Sequence, residues 1–305
     1  MQVNLQEKPK TYIVVNPVAG LSQLEVVRET IQSALEERGI PFEFYETTGK
    51  DNLKKQIHEA IQQGFKLFMA AGGDGTLSAV VDGLAGTQLP LVILPAGTWN
   101  TLARAFDIPL QIEEAIQLVF QEHQIRTIDA LQVNQSFFIL NVSAGLGAQT
   151  IKGVKREEKR RFGKLVDLWK GIKALSDFRS YLFEVKIDGK LTRFRASELM
   201  VANSATLGIK PLQLDQSIRM DDGKMNVCRI YANSFGDYLK LAISMLRGEQ
   251  ERNWNVLCVE ALKEVEIHSR VRLPVQGDGD VIGQLPVTVK IRPKAIHIVT
   301  PIPSG

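Results

Sequence analysis

The rhythm of hydrophobic and polar positions changes once along this chain. Over the first 125 residues, short apolar runs alternate with stretches whose apolar residues recur every three or four positions. Tyr12–Val15, Pro41–Tyr45, Phe65–Met69 and Leu91–Leu94 read as strands, because each run is too short for a helix and rich in β-branched or aromatic residues. Leu24–Arg38 has helical spacing at Val27, Ile31 and Leu35 and closes at Gly39. Leu53–Ile61 keeps the same period, with Asp51 or Asn52 as N-cap and Gly64 as its stop, and so does Ile112–Phe120. Shorter helices are expected over Leu77–Leu84 and Leu102–Phe106. Strand and helix in alternation predict an α/β domain of three layers around a parallel sheet. Ligands in such sheets bind beyond the carboxyl ends of the strands. The loops at Asn16, Thr47, Gly72–Thr76 and Pro95–Asn100 should therefore converge on one edge.

Beyond residue 125 the helical period nearly vanishes. Arg126–Val133, Ser136–Val142, Tyr181–Ile187, Lys190–Arg195, Leu199–Ala202, Met225–Tyr231, Val265–His268, Leu273–Gln276, Val287–Arg292 and Ala295–Val299 read as strands. Asp188-Gly189 between two of them is a hairpin signal. Helical patterns interrupt the series near Lys159–Leu175 and Phe235–Leu246. A mostly antiparallel β-sandwich is the natural reading. The expected division is residues 1–125 and 126–294, with the boundary near Gln124–Asp129. The last strand, near 295–305, is left open to rejoin the first domain.

Composition narrows this little. A chain of 305 residues suggests two cores rather than one, and 44% apolar with 23% charged residues is ordinary globular usage. A net charge of +3 is too small to imply a nucleic-acid partner. The two cysteines, Cys228 and Cys258, sit in apolar strand-like contexts, so reduced thiols in a cytosolic protein are expected rather than a disulfide framework. His58, His123, His268 and His297 lie at no metal-ligand spacing. Met1–Lys10 lacks the apolar core of a signal peptide, and no apolar run reaches the roughly 18 to 20 residues that span a bilayer. The expectation is a cytoplasmic protein, and if it meets lipid it does so from the side.

The run Ala70-Ala71-Gly72-Gly73-Asp74-Gly75-Thr76 carries the most chemistry. A glycine turn between strand and helix lets backbone N–H groups approach phosphate, and the helix N-terminus behind it favours negative charge. Asp74 inside such a turn repels phosphate unless it holds a cation or a substrate hydroxyl. The plainer alternative is an N-cap. Pro95-Ala96-Gly97-Thr98-Trp99-Asn100 is a second loop of this kind. Gly97 allows close approach and Thr98 offers a hydroxyl, while a turn capped by the threonine is the alternative. Lys152–Lys173 holds Lys152, Lys155, Arg156, Lys159, Arg160, Arg161, Lys164, Lys170 and Lys173 beside apolar residues at helical spacing. A solvated face, a nucleic-acid patch and a membrane contact compete here. Contact with an anionic membrane surface is favoured.

Gly72–Thr76 resembles the signature shared by diacylglycerol kinases, sphingosine kinases and bacterial lipid kinases, and also by NAD kinases and phosphofructokinases. Gly97-Thr98 with Asn100 and Leu102-Ala103-Arg104-Ala105 is similar to the lipid-kinase Gly-Thr-x-Asn segment, with Thr101 where many bacterial members carry Asp. Val15-Asn16-Pro17-Val18-Ala19-Gly20 matches the family's opening turn beside the nucleotide, where Asn16 can brace the neighbouring glycine-rich loop. Thr47, or Thr48, fits its nucleotide-contacting threonine. Gln276-Gly277-Asp278-Gly279-Asp280 looks like the family's Asp-Gly-Glu, with Asp280 in place of Glu as the group that takes the proton of a lipid hydroxyl. A tight turn is the structural alternative. Met220–Val227 resembles the segment in which bacterial lipid kinases hold a structural magnesium. The matching ligands are Asp222 and the carbonyls of Arg219 and Lys224, with Asp129 communicating through water. The resemblance spans Val14 to Pro301. It implies a lipid kinase of the diacylglycerol kinase catalytic type that uses ATP and Mg2+. ATP would lie on Asn16, Pro17, Thr47, Gly72, Gly73, Asp74, Gly75, Thr76, Gly97, Thr98 and Asn100, with Asp74 and Asp280 catalytic. NAD kinase is the rival enzyme, and its usual Thr-rich stretch with Gly-Ser-Thr-Ala in the second domain is absent from this chain. A non-catalytic lipid-binding protein is the other alternative, kept open by Thr101 and Asp280. The lipid and the oligomeric state, a homodimer included, stay open.

Overall fold

Thr11–Val15 (β1) is buried at every position, and so is Leu67–Gly72 (β3). Runs that are apolar without alternation belong inside a sheet covered on both faces. The computed structural model describes residues 7–17, 24–49, 51–145, 180–206, 214–215, 217–232, 234, 236–237, 240 and 256–302. The helical expectations over Lys159–Leu175 and most of Phe235–Leu246, the basic segment Lys152–Lys173, and Val18–Gly20 lie outside these residues. The chain divides into two compact units. One holds residues up to Ala130 and again from Pro293. The other holds most of Leu131–Arg292. The chain passes between them within two strands, His123–Val133 (β5) and Val287–Pro301 (β16).

In the first unit β1 pairs in parallel with Phe42–Glu46 (β2) and with β3, and β3 with Pro90–Pro95 (β4). The end of β16 joins β4 in parallel, His297 opposite Pro90 and Ile298 opposite Leu91. Two helices supply apolar stripes. Leu24–Glu36 (α1) buries Val27, Ile31, Ala34 and Leu35, and Leu53–Gln62 (α2) buries Leu53, Ile57 and Ala60. Asn52 caps α2 by accepting the Lys55 N–H at 3.1 Å. Asp74–Leu84 (α3), Thr101–Ala105 (α4) and Ile112–Gln117 (α5) complete the unit. The last three residues of the expected Ile112–Phe120 helix form a 3-10 turn. Each large side chain so buried contributes about 1.5–3 kcal/mol.

The second unit stacks antiparallel strands. Tyr181–Ile187 (β8), Lys190–Ala196 (β9), Glu264–Ser269 (β13) and the start of β16 form one layer. Ser136–Phe138 (β6) pairs with the end of β5. Asn141–Gly145 (β7), Glu198–Ala202 (β10), Met225–Ile230 (β11), Val256–Ala261 (β12), Pro274–Gly277 (β14) and Asp280–Gln284 (β15) form a six-stranded sheet, ordered β12-β11-β10-β7-β14-β15. One core joins the two layers, with Phe183, Val185 and Val265 from the first and Val142, Val201, Val227 and Val275 from the second. The expected architecture, a parallel α/β domain followed by an antiparallel sandwich, is the one observed.

The cysteines correct an expectation. Cys228 and Cys258 face each other across β11 and β12, with Cα atoms 4.0 Å apart, and form a disulfide. Thirty residues separate them in sequence, and each lies in an apolar strand-like stretch. Their adjacency is a product of sheet pairing that neither local context shows.

Candidate functional site

Four parallel strands point their carboxyl ends to one edge of the first unit. Val15 lies opposite Glu46 and Ala71, and Gly72 opposite Pro95. The loops at Asn16, Thr47, Gly73 and Ala96 therefore leave the sheet on the same side. The strand-to-helix turn is tighter than the sequence suggests. Ala70–Gly72 are still strand, Asp74-Gly75-Thr76 already form the first turn of α3, and Gly73 alone joins them. The Thr76 N–H donates back to the Gly73 carbonyl at 3.0 Å, so this turn presents the Asp74 and Gly75 N–H groups and a positive dipole end at the sheet edge.

Close packing explains the glycines. A Cβ on Gly72 would lie 2.7 Å from the Thr76 Cβ, and one on Gly97 would lie 2.5 Å from the Gly73 Cα. The two loops touch backbone to backbone, and the Ala96 N–H donates to the Gly72 carbonyl at 3.1 Å. Side chains then lock the arrangement. Asn16 donates its amide to the Thr76 hydroxyl at 2.8 Å and its backbone N–H to Ala71 at 3.0 Å. Asp74 does not cap its own helix, whose N-cap Gly73 makes no side-chain bond. Its Oδ1 accepts the Thr101 N–H at 2.7 Å, so it caps α4 across the loop contact. Its Oδ2 takes no hydrogen bond among the described residues.

Asn100 acts within its loop. Its backbone is left-handed (φ 49°), its amide oxygen accepts the Gly97 N–H at 2.9 Å, and its amide nitrogen donates to the Gly97 carbonyl at 3.0 Å. It shapes the loop, and it is buried. Thr98 and Trp99 are exposed, Trp99 at 56%. Thr47 is buried at the end of β2 with its N–H on the Val15 carbonyl, whereas Thr48 bonds to Asp51. Pro17 follows Asn16 on the same edge. A separate cavity of about 630 Å3 in this unit is lined by Pro109, Glu113, Glu114, Glu122 and Ile302 among others. Its acidic wall repels phosphate, and no residue of the two loops lines it.

The remaining expected residues fall as follows. Asp129 is buried in the first unit and accepts the Lys294 N–H at 2.8 Å. Arg219, Asp222 and Lys224 belong to one turn of the second unit. There Asp222 accepts the Lys224 N–H at 3.0 Å, and Glu260 holds the Lys224 ammonium at 2.9 Å and raises its pKa. Among the described residues no three His, Cys, Asp or Glu side chains gather as a metal cluster. One carboxylate with two carbonyls needs no such cluster. An all-oxygen set of this kind suits magnesium, which retains several waters.

Asp280 is exposed at the start of β15. The sequence marks the turn before it as a motif or a tight turn, and in the fold its first residue is heavily engaged. Asp278 accepts the N–H groups of Ile139, Leu140 and Asn141 at 2.9, 2.9 and 3.0 Å. Burial pushes its carboxyl up to about 6 against those three bonds, and the Asp280 charge adds to the rise. No local feature separates Asp278 from an ordinary Asp-Gly turn, so the sequence alone passes over it.

Comparison with known proteins agrees with both halves. Residues 10–133 match the model of the diacylglycerol kinase catalytic domain, and residues 140–300 match that of the YegS C-terminal NAD kinase beta sandwich-like domain. A diacylglycerol kinase of Bacillus subtilis is 28% identical over 293 residues, covering 95% of each chain. An uncharacterized protein of Synechocystis is also 28% identical, over 98% of this chain and 72% of its own. The crystal structure of a diacylglycerol kinase from Bacillus anthracis superposes with a TM-score of 0.77 at 23% identity. It covers 96% of this chain and 97% of its own, a likeness of fold.

Proposed function

Because the chain belongs to the family that joins a diacylglycerol kinase catalytic domain to a YegS-type sandwich, we propose that it is an ATP-dependent lipid kinase. The observation that carries this reading is the contact of the two glycine loops, with Asp74 bonded to Thr101 at the carboxyl edge of a parallel sheet. The Asp74 and Gly75 N–H groups at the start of α3 bind the ATP phosphates, and the Thr98 hydroxyl adds a donor. Asp74, with one oxygen holding α4, offers the other to orient the phosphates. Asp280 takes the proton of the acceptor hydroxyl. A bond forms from that oxygen to the γ-phosphorus, the bond from the γ-phosphorus to its bridging oxygen breaks, and ADP leaves. Magnesium, when bound, neutralises phosphate charge, as phosphoryl transfer requires. In the second unit Asp222 with the Arg219 and Lys224 carbonyls would hold a further, structural magnesium.

The acceptor is a lipid hydroxyl of the diacylglycerol kind, reached at an anionic membrane surface through the basic segment Lys152–Lys173. No helix among the described residues is long and apolar enough to cross a membrane. Radiolabelled ATP incubated with the protein and a total lipid extract should give one labelled lipid, and its identification names the acceptor. Absence of any labelled lipid, with ATP binding intact, would overturn the reading.

A further inference from the structure

The second unit contains one hydrogen-bonded clasp twice. The β8–β9 hairpin turns at Asp188 and Gly189 (φ 46° and 88°), closed by Ile187 opposite Lys190. The β14–β15 hairpin turns at Asp278 and Gly279 (φ 48° and 92°), closed by Gly277 opposite Asp280. Asp-Gly suits a two-residue turn in which both residues are left-handed. In each case the aspartate reaches across to the link that enters a neighbouring strand. Asp188 accepts the N–H groups of Leu262, Lys263 and Glu264 at 2.7, 2.8 and 3.0 Å and returns its own N–H to the Glu264 carbonyl at 3.0 Å. Asp278 does the same with Ile139, Leu140 and Asn141, and returns its N–H to the Asn141 carbonyl at 3.0 Å.

The two clasps differ in what they carry. The far side of the Asp188 turn bears Lys190, an exposed residue of an edge strand. The far side of the Asp278 turn bears Asp280. The second clasp is also the more tightly packed, since a Cβ on Gly277 would lie 2.5 Å from the Phe138 ring. A carboxylate that accepts three N–H groups from a rigid link has one orientation open to it, and that orientation fixes the turn. β15 is exposed at four of its five positions and has little packing of its own to hold its first residue.

We propose that Asp278 is a positioning residue, whose three-point clasp on Ile139–Asn141 holds the β14–β15 turn so that the Asp280 carboxylate is presented in one place. The proposal rests on the reading of Asp280 as the group that takes the acceptor proton. Asp278 touches no reacting atom and acts through the turn alone. Asp188 is its matched control, with the same clasp and no acid to position.

The test compares Asp278→Asn, Asp188→Asn and Asp280→Asn in the full chain, measuring melting temperature, KM for ATP and kcat with labelled ATP and lipid. An amide in the clasp turns one acceptor atom into a donor facing a donor, so both clasp variants should melt lower. Asp278→Asn should lower kcat about ten- to hundredfold, the scale of a displacement near 1 Å, with KM for ATP unchanged. Asp188→Asn should keep its kcat. Normal kcat in Asp278→Asn beside an inactive Asp280→Asn would overturn the positioning role and leave the base assignment standing. Full turnover in Asp280→Asn would remove the base assignment, and this inference with it. If Asp278→Asn does not fold, Gly279→Ala replaces it. A Cβ there meets nothing within 4 Å but strains the left-handed turn, so kcat should fall while Gly189→Ala keeps its kcat. An unchanged kcat in Gly279→Ala would overturn the proposal.

Discussion

Replacing Asp74 by Asn and by Ala separates two duties of one carboxylate. The first duty is structural. Oδ1 accepts the Thr101 N–H at 2.7 Å and so caps a helix of five residues whose own N-cap, Asn100, makes no side-chain bond to it. Asn keeps an oxygen acceptor in that place, and Ala does not. Loss of a cap costs about 0.5–2 kcal/mol, which in a domain of this size lowers the melting temperature by roughly 1–8 °C. The Asn variant should stay within about 0.5 kcal/mol of the parent. The second duty is electrostatic and needs the charge, which both variants lack. Turnover should fall by about two to four decades in each, equivalent to about 2.7–5.4 kcal/mol of barrier at 1.36 kcal/mol per decade. The electrostatic loss thus exceeds the capping loss, and the two variants should be nearly equal in kcat but distinct in melting. Scanning calorimetry and labelled-phosphate transfer on both proteins decide it. Near-normal turnover in Asp74→Asn would show that the carboxylate only caps. Equal melting losses in the two variants would show that the Thr101 bond is not what holds α4.

Gly97→Ala should destabilise by about 1–3 kcal/mol, the range for overpacking, and raise KM for ATP, because its Cβ meets the Gly73 backbone at 2.5 Å, where no side chain can swing aside; unchanged melting and KM would contradict the loop contact. Magnesium should raise the melting temperature of the parent by mass action but not that of Asp222→Ala; no rise in the parent would leave the turn without its proposed metal. Vesicles rich in anionic lipid should sediment the protein at low salt and release it as the Debye length shortens from about 30 Å at 0.01 M to about 8 Å at 0.15 M. Replacing Lys155, Arg156, Arg160 and Arg161 with Gln should weaken that binding by about 1 kcal/mol per charge, and unchanged binding would make the segment a solvated face.

The first unit was legible because β1, β3 and β4 are continuous apolar runs, β2 interleaves aromatic and acidic residues, and its helices carry clear stripes, all of which are local signals. The same signals fail at edges. β12 is an apolar run in which Leu257 and Val259 end exposed, so the run does not show what it pairs with, and β15, with Gly283 inside it, looks like an extension of a turn. The disulfide followed β12 out of view. At the site, the sequence picks out the loops and the bracing role of Asn16, but not the rest of the division of labour within them. Asn16 and Asn100 are both amides after a strand, yet one braces α3 through Thr76 and the other closes on its own loop. Nothing near position 74 announces that its acceptor bond comes from residue 101. The partners of Asp278 lie 137 to 139 residues away, a separation at which only the folded sheet supplies the information.

The two clasps make opposite predictions for acid stability. At Asp188 burial pushes the carboxyl up, but the three N–H bonds and the Lys263 charge outweigh it, and its pKa lies below the ordinary value of 3.8. Stability from that group is full above 3.8 and is lost as pH falls through the depressed value. At Asp278 burial prevails over the same number of bonds, helped by the Asp280 charge, and the pKa is raised from 3.8 to about 6. No ionisable side chain lies on the Ile139–Asn141 link or in Val275–Gly277, so Asp280 is the charge that faces it. A carboxyl that holds its proton more tightly when folded contributes stability below 3.8 and loses it as pH rises through about 6. Neither variant titrates at its substituted position. The melting difference between parent and Asp188→Asn should therefore widen as pH rises through the range below 3.8, and then stay constant. The difference between parent and Asp278→Asn should narrow between 3.8 and about 6. Melting curves across that range, at one ionic strength, measure both slopes. Slopes of the same sign would refute the argument that enclosure, rather than the number of N–H donors, decides which way each clasp responds to pH.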